Sequence, residues 1–401
     1  MKRRNGIWKV ARLGFLLTIL FVLVFHGPSQ AADKTLKVGI IMPLSGPVSI
    51  VGVGLVRATE LYFDKINAAG GLNLGGNTYK FELIAEDDKM DPTAAATAAK
   101  KLVHKDGARF VFGSIGTAEA AAIYQVCEPA KALHLITYMN APLVPGDVDP
   151  KKPYAVRLTP SSDAAWEMDY EYIRKTYPDA KKIFLVAPDL NLPIDRAKKV
   201  AKEFGFDVLG AELWQRGTTD FVPIYTKVLA NKPDVIQAIS SAQAAYQLRA
   251  ARQLGFKGTF ISDSPLGPDV ILRVAGAEAS YDVLCNGMDL THATASMKEL
   301  MDLWGKKYKE PFLSDAVMNW SQAEAFVQAL KKANSVEPQK VIAAFDSMTA
   351  PGSFQTAYGP AHMGGIKRFG VNRVLVRPLP MSRLMDAKIE FVGFKTPVVD
   401  Q

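Results

Sequence analysis

Residues able to carry catalysis are few in this chain, and none of them forms a recognised catalytic set. There are five histidines: His26, His104, His134, His292 and His362. None lies in an H-E-x-x-H pattern or at helical spacing from another histidine. Ser114 follows Gly113, but a nucleophile elbow needs a glycine two positions before its serine, where this chain has Phe112. The sequence therefore predicts that the protein is not an enzyme.

The sequence also predicts no cofactor and no metal ion. Gly52 and Gly54 begin like a dinucleotide-binding fingerprint, but Arg57 stands where the third glycine belongs. Asp87 and Asp88 have no further oxygen ligands at the loop spacing of a metal site, so a solvated acidic pair at a strand end is expected. The only two cysteines, Cys127 and Cys285, exclude a thiolate cluster. Both are expected to be buried and free, although an oxidising compartment leaves a disulfide open.

Length and composition predict a globular protein with two lobes. The chain has 401 residues, of which 48% are hydrophobic and 22% charged. Its formal net charge is +8, but five of the positive charges lie in the first twelve residues. Without that segment the net charge is about +3, and a surplus this small gives no sign of a nucleic-acid surface.

The first 32 residues have the pattern of a cleavable export signal. The basic start is followed by an apolar run over residues 13–25 and by the small-residue site Ser29-Gln30-Ala31. A run of this length is shorter than the roughly 18–20 residues that span a bilayer. We therefore expect a signal peptide at residues 1–32 and a soluble protein exported to the periplasm.

After the signal, short apolar strands alternate with amphipathic helices, which predicts α/β architecture with parallel sheets flanked by helices. The segment 297–348 is nearly all helical, and strand-like segments return near the C-terminus. Ligands of such sheets lie beyond the carboxyl ends of the strands. Five loops at these predicted ends are rich in small or hydrogen-bonding residues: 43–47, 113–117, 138–142, 240–241 and 262–265. At Thr117 a helix begins, and its free N–H groups favour a carboxylate.

The sequence resembles the substrate-binding proteins of ABC importers of the branched-chain amino-acid (leucine/isoleucine/valine) type. The segments carrying the resemblance are 38–47, 66–71, 86–92, 112–114 and 249–255. The resemblance covers nearly all of the mature chain. It implies two Rossmann-like lobes joined by three crossovers, the type I periplasmic-binding fold, with the ligand between them. By matching segments, lobe one holds residues 33–160 and 288–368, and lobe two holds residues 161–287 and 369–401.

The resemblance also implies a ligand site, position by position. Thr117 matches the residue whose hydroxyl holds the ligand carboxylate, and Ser114 lies nearby. Ser264, with Asp263 beside it, matches the acidic residue that pairs with the ligand ammonium. Positions matching aromatic or small pocket residues of the family hold other residue types here: Val51, Tyr138, Met139, Asn140, Leu192, Pro193 and Ser240. Ser45 and Trp320 complete the candidate contacts.

These departures argue against a standard branched-chain amino acid. Without an acidic residue at position 264, a ligand ammonium lacks its partner in the family site, whereas Tyr138, Met139 and Leu192 form an apolar wall. We therefore expect an amino acid or an aromatic or aliphatic acid, captured by a monomer and delivered to a membrane permease. A binding module that presents its solute to a membrane receptor or kinase would use the same cleft.

Overall fold

The computed structural model describes residues 34–46, 48–137, 154–189, 194–215, 217–239, 243–263 and 267–398. The expected signal peptide lies outside these residues. Among the helices of the described ranges, none is long and apolar enough to cross a membrane.

In these ranges the chain alternates strands with helices up to residue 285, as the sequence predicts. The strands are β1 Lys34–Met42, β2 Leu72–Leu74, β3 Asn77–Asp87, β4 Phe110–Gly113, β5 Leu133–Ile136, β6 Ala155–Arg157, β7 Lys182–Pro188, β8 Asp207–Trp214, β9 Val235–Ile239, β10 Thr259–Asp263, β11 Val283–Cys285, β12 Phe354–Thr356, β13 Gly359–Gly364, β14 Val374–Val376, β15 Leu379–Met385 and β16 Lys388–Lys395. The α-helices are α1 Ser49–Ala68, α2 Pro92–Lys100, α3 Thr117–Cys127, α4 Ser162–Thr176, α5 Ile194–Glu203, α6 Val222–Ala230, α7 Ala244–Gln253, α8 Pro268–Ala275, α9 Ala295–Lys307, α10 Ala316–Ala333, α11 Pro338–Ser347 and α12 Ile366–Phe369.

Two separate sheets organise these elements. The first has nine strands in the order β12-β13-β14-β6-β5-β4-β1-β3-β2, and the second has seven in the order β16-β15-β11-β10-β9-β7-β8. Central strands pair in parallel, whereas antiparallel strands lie towards the edges. Strands such as β4 and β9 are buried along their whole length, because helices cover both faces of a parallel sheet. The predicted two-lobe α/β fold is confirmed.

The chain passes between the sheets three times: after β6, after β11 and after β14. One predicted lobe boundary is wrong when the sheets are taken as the lobe cores. The resemblance places residues 369–376 in lobe two, but β14 pairs with β13 and β6 of the first sheet. The third crossover therefore follows Val376. Below, the first lobe is the part of the chain around the nine-stranded sheet, and the second lobe is the part around the seven-stranded sheet.

Aromatic packing fixes α10 against the first sheet. Phe326 of α10 contacts the rings of Phe63, Phe110 and Phe112, with ring centroids 5.0 to 6.5 Å apart. Buried aromatic groups of this kind dominate the energetics of a core. These contacts fix α10 on the first sheet.

Cys127 and Cys285 are both buried and free, as predicted. Burial raises the pKa of the Cys127 thiol to about 12, which leaves it protonated and unreactive.

Candidate functional site

The carboxyl ends of β1, β3 and β4 lie side by side in the first lobe. Met42 pairs with Asp87, and Ile41 pairs with both Glu86 and Gly113. The loops that follow these strands therefore bring Ser45, Asp87, Asp88 and Ser114 to one edge of the sheet.

Both serines at this edge donate to carboxylates at the end of β3. The Ser45 hydroxyl donates to Asp87 Oδ2 across 2.6 Å, and the Ser114 hydroxyl donates to Asp88 Oδ2. Asp88 is buried, so the expectation of a solvated pair is wrong for this residue. Burial raises the pKa of Asp88, and the neighbouring charges of Glu119 and Asp87 add to this effect, against the hydrogen bonds from Ser114 and Met90.

The N-terminus of α3 faces a carboxylate of the protein itself. Gly116 caps this helix, and Thr117, its first residue, is 6% exposed. Glu119 lies in the first turn and is buried; a Cβ on Gly116 would overlap its carboxylate. A carboxylate here complements the positive end of the helix dipole. Glu119 thus already lies at the helix N-terminus where the sequence predicts an anion site.

His134 stabilises the loop after β4, which carries Ser114. It is fully buried on β5, and its Nε2 bonds to the Gly113 carbonyl oxygen. Burial lowers the pKa of His134 to about 4, so the ring is neutral at pH 7 and its Nε2–H donates to the carbonyl. His134 therefore positions the loop rather than activating Ser114.

Further polar residues lie just after β5 and just after β6. Thr137 and Thr159 are fully buried, and their hydroxyls have no hydrogen-bond partner among the described residues. Gln322 of α10 donates its side-chain amide to the Thr137 carbonyl across 3.2 Å. Buried hydroxyls without protein partners are uncommon, and a polar solute can supply the missing bond.

In the second lobe, Asp263 ends β10 and is nearly buried. Its Oδ2 accepts the indole N–H of Trp166 across 2.7 Å. Nearby, the Asp169 carboxylate accepts from Asn286 across 2.8 Å, and burial raises its pKa well above the ordinary value. The acidic residue expected beside position 264 is thus present, but it is engaged within its own lobe.

The two lobes touch where α8 and α10 begin. A Cβ on Gly267, the residue before α8, would overlap Ser314 Oγ and approach Asp269 Oδ1 to 2.5 Å. Asp315 follows Ser314 and immediately precedes α10. Ser314 and Asp315 are both buried.

Two candidate residues lie within packed cores. Val51 lies in the first turn of α1 and belongs to the main hydrophobic cluster. Trp320 lies in α10, is fully buried, and donates its indole N–H to Ser296 Oγ across 2.8 Å. Its ring contacts Tyr62 edge-on, with centroids 4.9 Å apart. We therefore leave Trp320 out of the proposed ligand contacts.

The other candidate contacts lie outside the described residues and stay predictions: Tyr138, Met139, Asn140, Leu192, Pro193, Ser240 and Ser264. Sequence reasoning missed Thr137, Thr159, Trp166 and the Ser314-Asp315 pair. Thr137 directly follows the apolar strand β5, which is a usable signal, and Thr159 lies two residues after β6. Ser314-Asp315 carries no such signal, because a crossover brings it to the second lobe.

The arrangement is suited to binding and offers no recognised catalytic set. Ser114 bonds to a carboxylate rather than to a histidine. Within the described ranges, no group of three or more His, Cys, Asp or Glu residues could hold a metal ion.

Comparison with known proteins gives a family match over most of the chain. The family model described as periplasmic binding protein matches residues 35–386. A Pseudomonas aeruginosa leucine-, isoleucine-, valine-, threonine- and alanine-binding protein is 24% identical over 355 residues, covering 87% of this chain and 90% of that protein. A Leu/Ile/Val-binding protein homolog of Brucella abortus is also 24% identical, covering 82% of this chain and 84% of that protein.

Solved structures share the fold at lower identity. A Streptococcus pneumoniae branched-chain amino-acid transporter substrate-binding protein in complex with isoleucine has a TM-score of 0.73 at 20% identity, covering 91% of this chain and all of that one. A Rhodopseudomonas palustris solute-binding protein in complex with benzoate has a TM-score of 0.72 at 17% identity, covering 92% and 98%. A second R. palustris protein, in complex with 3,4-dihydroxybenzoic acid, has a TM-score of 0.74 at 20% identity, covering 91% and 98%.

Proposed function

Because the chain belongs to the periplasmic binding protein family, whose members bind solutes and are not enzymes, we propose that it captures a small carboxylate-bearing solute between its two lobes and delivers it to the permease of an ABC importer. The observation that carries this proposal is the set of buried polar groups at the strand ends. Thr137 and Thr159 of the first lobe and Ser262 of the second have hydroxyls without partners among the described residues. Such groups are costly unless a ligand or water bonds to them.

The carboxylate class is supported by the relatives. The ligands bound in the compared structures include isoleucine, benzoate and 3,4-dihydroxybenzoic acid, and each carries a carboxyl group. In this chain the Thr117 hydroxyl and the first N–H groups of α3 would hold that group, with Glu119 limiting how closely it approaches. Tyr138, Met139 and Leu192 would form the apolar wall around the rest of the solute.

The same proposal implies the cellular compartment in which the protein acts. Residues 1–32 would direct export and be removed, which leaves a monomeric protein in the periplasm. There, hinge closure on the solute would produce the form that a permease recognises.

A thermal-shift screen tests this proposal. The panel holds leucine, isoleucine, benzoate, 4-hydroxybenzoate and 3,4-dihydroxybenzoate, with neutral amides and polyamines as controls. A ligand at a hundred times its dissociation constant should stabilise the protein by about 2.7 kcal/mol, which raises the melting temperature by several degrees. A shift with carboxylates alone supports the proposal. A shift confined to amides or polyamines contradicts the ligand class.

A further inference from the structure

Two side-chain amides of α10 lie one turn apart on the face of the helix that packs on the first sheet. Asn319 and Gln322 are both fully buried. Residues three apart on a helix are neighbours on its surface, with Cβ atoms about 5–6 Å apart. One turn further along the same face, Phe326 packs against Phe110 and Phe112 of β4. This face of α10 is therefore apolar where it covers the strand and polar towards the start of the helix.

Gln322 reaches the carboxyl edge of the sheet. Its Nε2 donates to the carbonyl oxygen of Thr137, the residue that follows β5, across 3.2 Å. Thr137 directly precedes residues 138–140, which are among the proposed solute contacts. Asn319 lies one turn nearer the start of α10, where the two lobes touch. The two amides thus lie on the part of α10 that leads from the sheet edge to the contact between the lobes.

The partners of the two amides determine which end of each group is left over. A carbonyl oxygen only accepts, so the end of the Gln322 amide that faces Thr137 is the NH2 group. Asn319 Nδ2 lies 3.3 Å from the hydroxyl of Thr59, which donates its own hydrogen to the Leu55 carbonyl across 3.0 Å. That hydroxyl can therefore only accept from Asn319. In both residues the donor end is bonded within the protein, and the amide oxygen is the remaining end.

Both remaining oxygens are acceptors that need a donor. Within the described ranges, neither Asn319 Oδ1 nor Gln322 Oε1 has a hydrogen-bond partner. Buried acceptors without a donor are costly and uncommon. The carboxylate of a solute cannot supply the missing bonds, because an ionised carboxylate only accepts. A buried ammonium fits poorly as well, since an amide oxygen has no charge to compensate it. An uncharged donor such as a hydroxyl group meets both requirements.

We propose that Gln322 and Asn319 are specificity-determining residues that accept a hydrogen bond from a hydroxyl group of the solute, so that the preferred solute is a hydroxylated carboxylic acid. This inference rests on the proposed function and narrows its ligand class. The carboxylate of the solute lies towards Thr117, and its hydroxyl group lies towards α10. A solute without the hydroxyl leaves the amide oxygens unpaired, and sites that bond a substrate hydroxyl reject such analogues for this reason.

The test compares acids that differ by one group, with titration calorimetry as the measurement. Benzoate is compared with 4-hydroxybenzoate, and the deaminated analogue of leucine is compared with its hydroxy acid and with leucine itself. Wild-type protein should bind the hydroxylated member of at least one series about tenfold or more tighter than its parent acid. A preference for leucine over every hydroxylated acid overturns the inference, because the donor is then a charged amine.

Variants of α10 assign the preference to its residues. Gln322→Met, which has similar volume and no amide oxygen, should reduce the preference to within about threefold. Asn319→Leu should do the same, and it keeps the test decisive if the first variant does not fold. Gln328→Met is the matched control, because the Gln328 amide lies in the same helix but donates to the Glu324 and Gln355 carbonyls.

The ratio of the two affinities separates a specific role from a structural one. A variant that only loosens the fold weakens the binding of both acids and leaves their ratio unchanged. A wild-type ratio in Gln322→Met and Asn319→Leu therefore shows that the two amides do not bond to the hydroxyl, and the proposal is wrong.

Failure of the proposed function gives a different result. If none of these acids binds to wild-type protein, the carboxylate class is wrong and the role proposed for the amides falls with it. If the parent acids bind and the hydroxyl group brings no gain in either series, the carboxylate class stands and only the role of the amides is overturned.

Discussion

Trp166 donates its indole N–H to Asp263 across 2.7 Å, and this bond joins α4 to the carboxyl end of β10. By the resemblance, Asp263 lies beside the position that matches the acidic ligand contact of the family. In this chain the tryptophan already satisfies one of its oxygens. A ligand ammonium would have to share Asp263 with Trp166, which favours solutes that do not depend on an amine.

Replacing Trp166 with phenylalanine should destabilise the second lobe. The substitution leaves a buried carboxylate oxygen without its donor, at a cost of about 2 kcal/mol or more. Urea unfolding measures this loss. Trp304→Phe is the matched control, because the Trp304 indole donates to the Glu310 carbonyl rather than to a carboxylate. Equal losses of unfolding free energy in the two variants would show that the hydrogen bond to Asp263 stabilises the protein no more than a bond to a backbone carbonyl.

Replacing Thr117 with valine should weaken solute binding while preserving the fold. The two side chains have similar volume, and only the hydroxyl is lost. A hydrogen bond to a charged group contributes about 1.5–3 kcal/mol, so the dissociation constant should rise about ten- to a hundredfold. Titration calorimetry measures the change. Thr97→Val, on an exposed face of α2, is the control; unchanged affinity in Thr117→Val would remove the residue from the site.

Adding a methyl group at Gly267 should hold the lobes apart. The backbone there has φ −64° and ψ 154°, which alanine adopts without strain, so the effect comes from overlap with Ser314 and Asp269. We expect at least about a tenfold loss of solute affinity, equivalent to 1.4 kcal/mol. Gly305→Ala, in α9 with no atom near the added methyl, should bind as wild type does. Wild-type affinity in Gly267→Ala would show that this contact is not part of the closed, solute-binding form.

Stability should depend on the protonation of His134. Its folded pKa of about 4 lies below the unfolded value of about 6.5, so this contribution is lost as the pH falls through that window. The loss should be about 1.4 kcal/mol per pH unit. Urea unfolding of wild type and His134→Gln at pH 7, 6 and 5 isolates this contribution, because glutamine does not titrate. His104→Gln, at an exposed position, should follow the wild-type curve. Parallel curves of stability against pH for wild type and His134→Gln would contradict the lowered pKa of His134.

The fold could be predicted because most helices and strands have a recognisable local sequence pattern. Buried strands such as Phe110–Gly113 are continuous apolar runs, and Asp91 before Pro92 marks the start of α2. The sequence does not locate the last crossover correctly, because β14, Val374–Val376, is only three residues long. Nothing in three apolar residues indicates whether they pair with β6 or with a strand of the second lobe.

The site was less predictable because its chemistry depends on contacts between distant segments. Asp88 looks like a solvated acid in sequence, yet it is buried against Ser114. Trp320 lies at a plausible position along α10, but its ring packs against Tyr62 inside the first lobe. Gly267 and Ser314 lie together only because helices of different lobes begin at the same place. Sequence spacing carries no information about such a meeting.

Titration calorimetry of the carboxylate panel, followed by mass spectrometry of the recovered solute, tests the central claim most directly. The account predicts that one carboxylate binds saturably to each chain and is recovered chemically unchanged. Absence of binding across the panel, or conversion of a bound compound into a product, would contradict the claim that this protein captures and releases a small carboxylate.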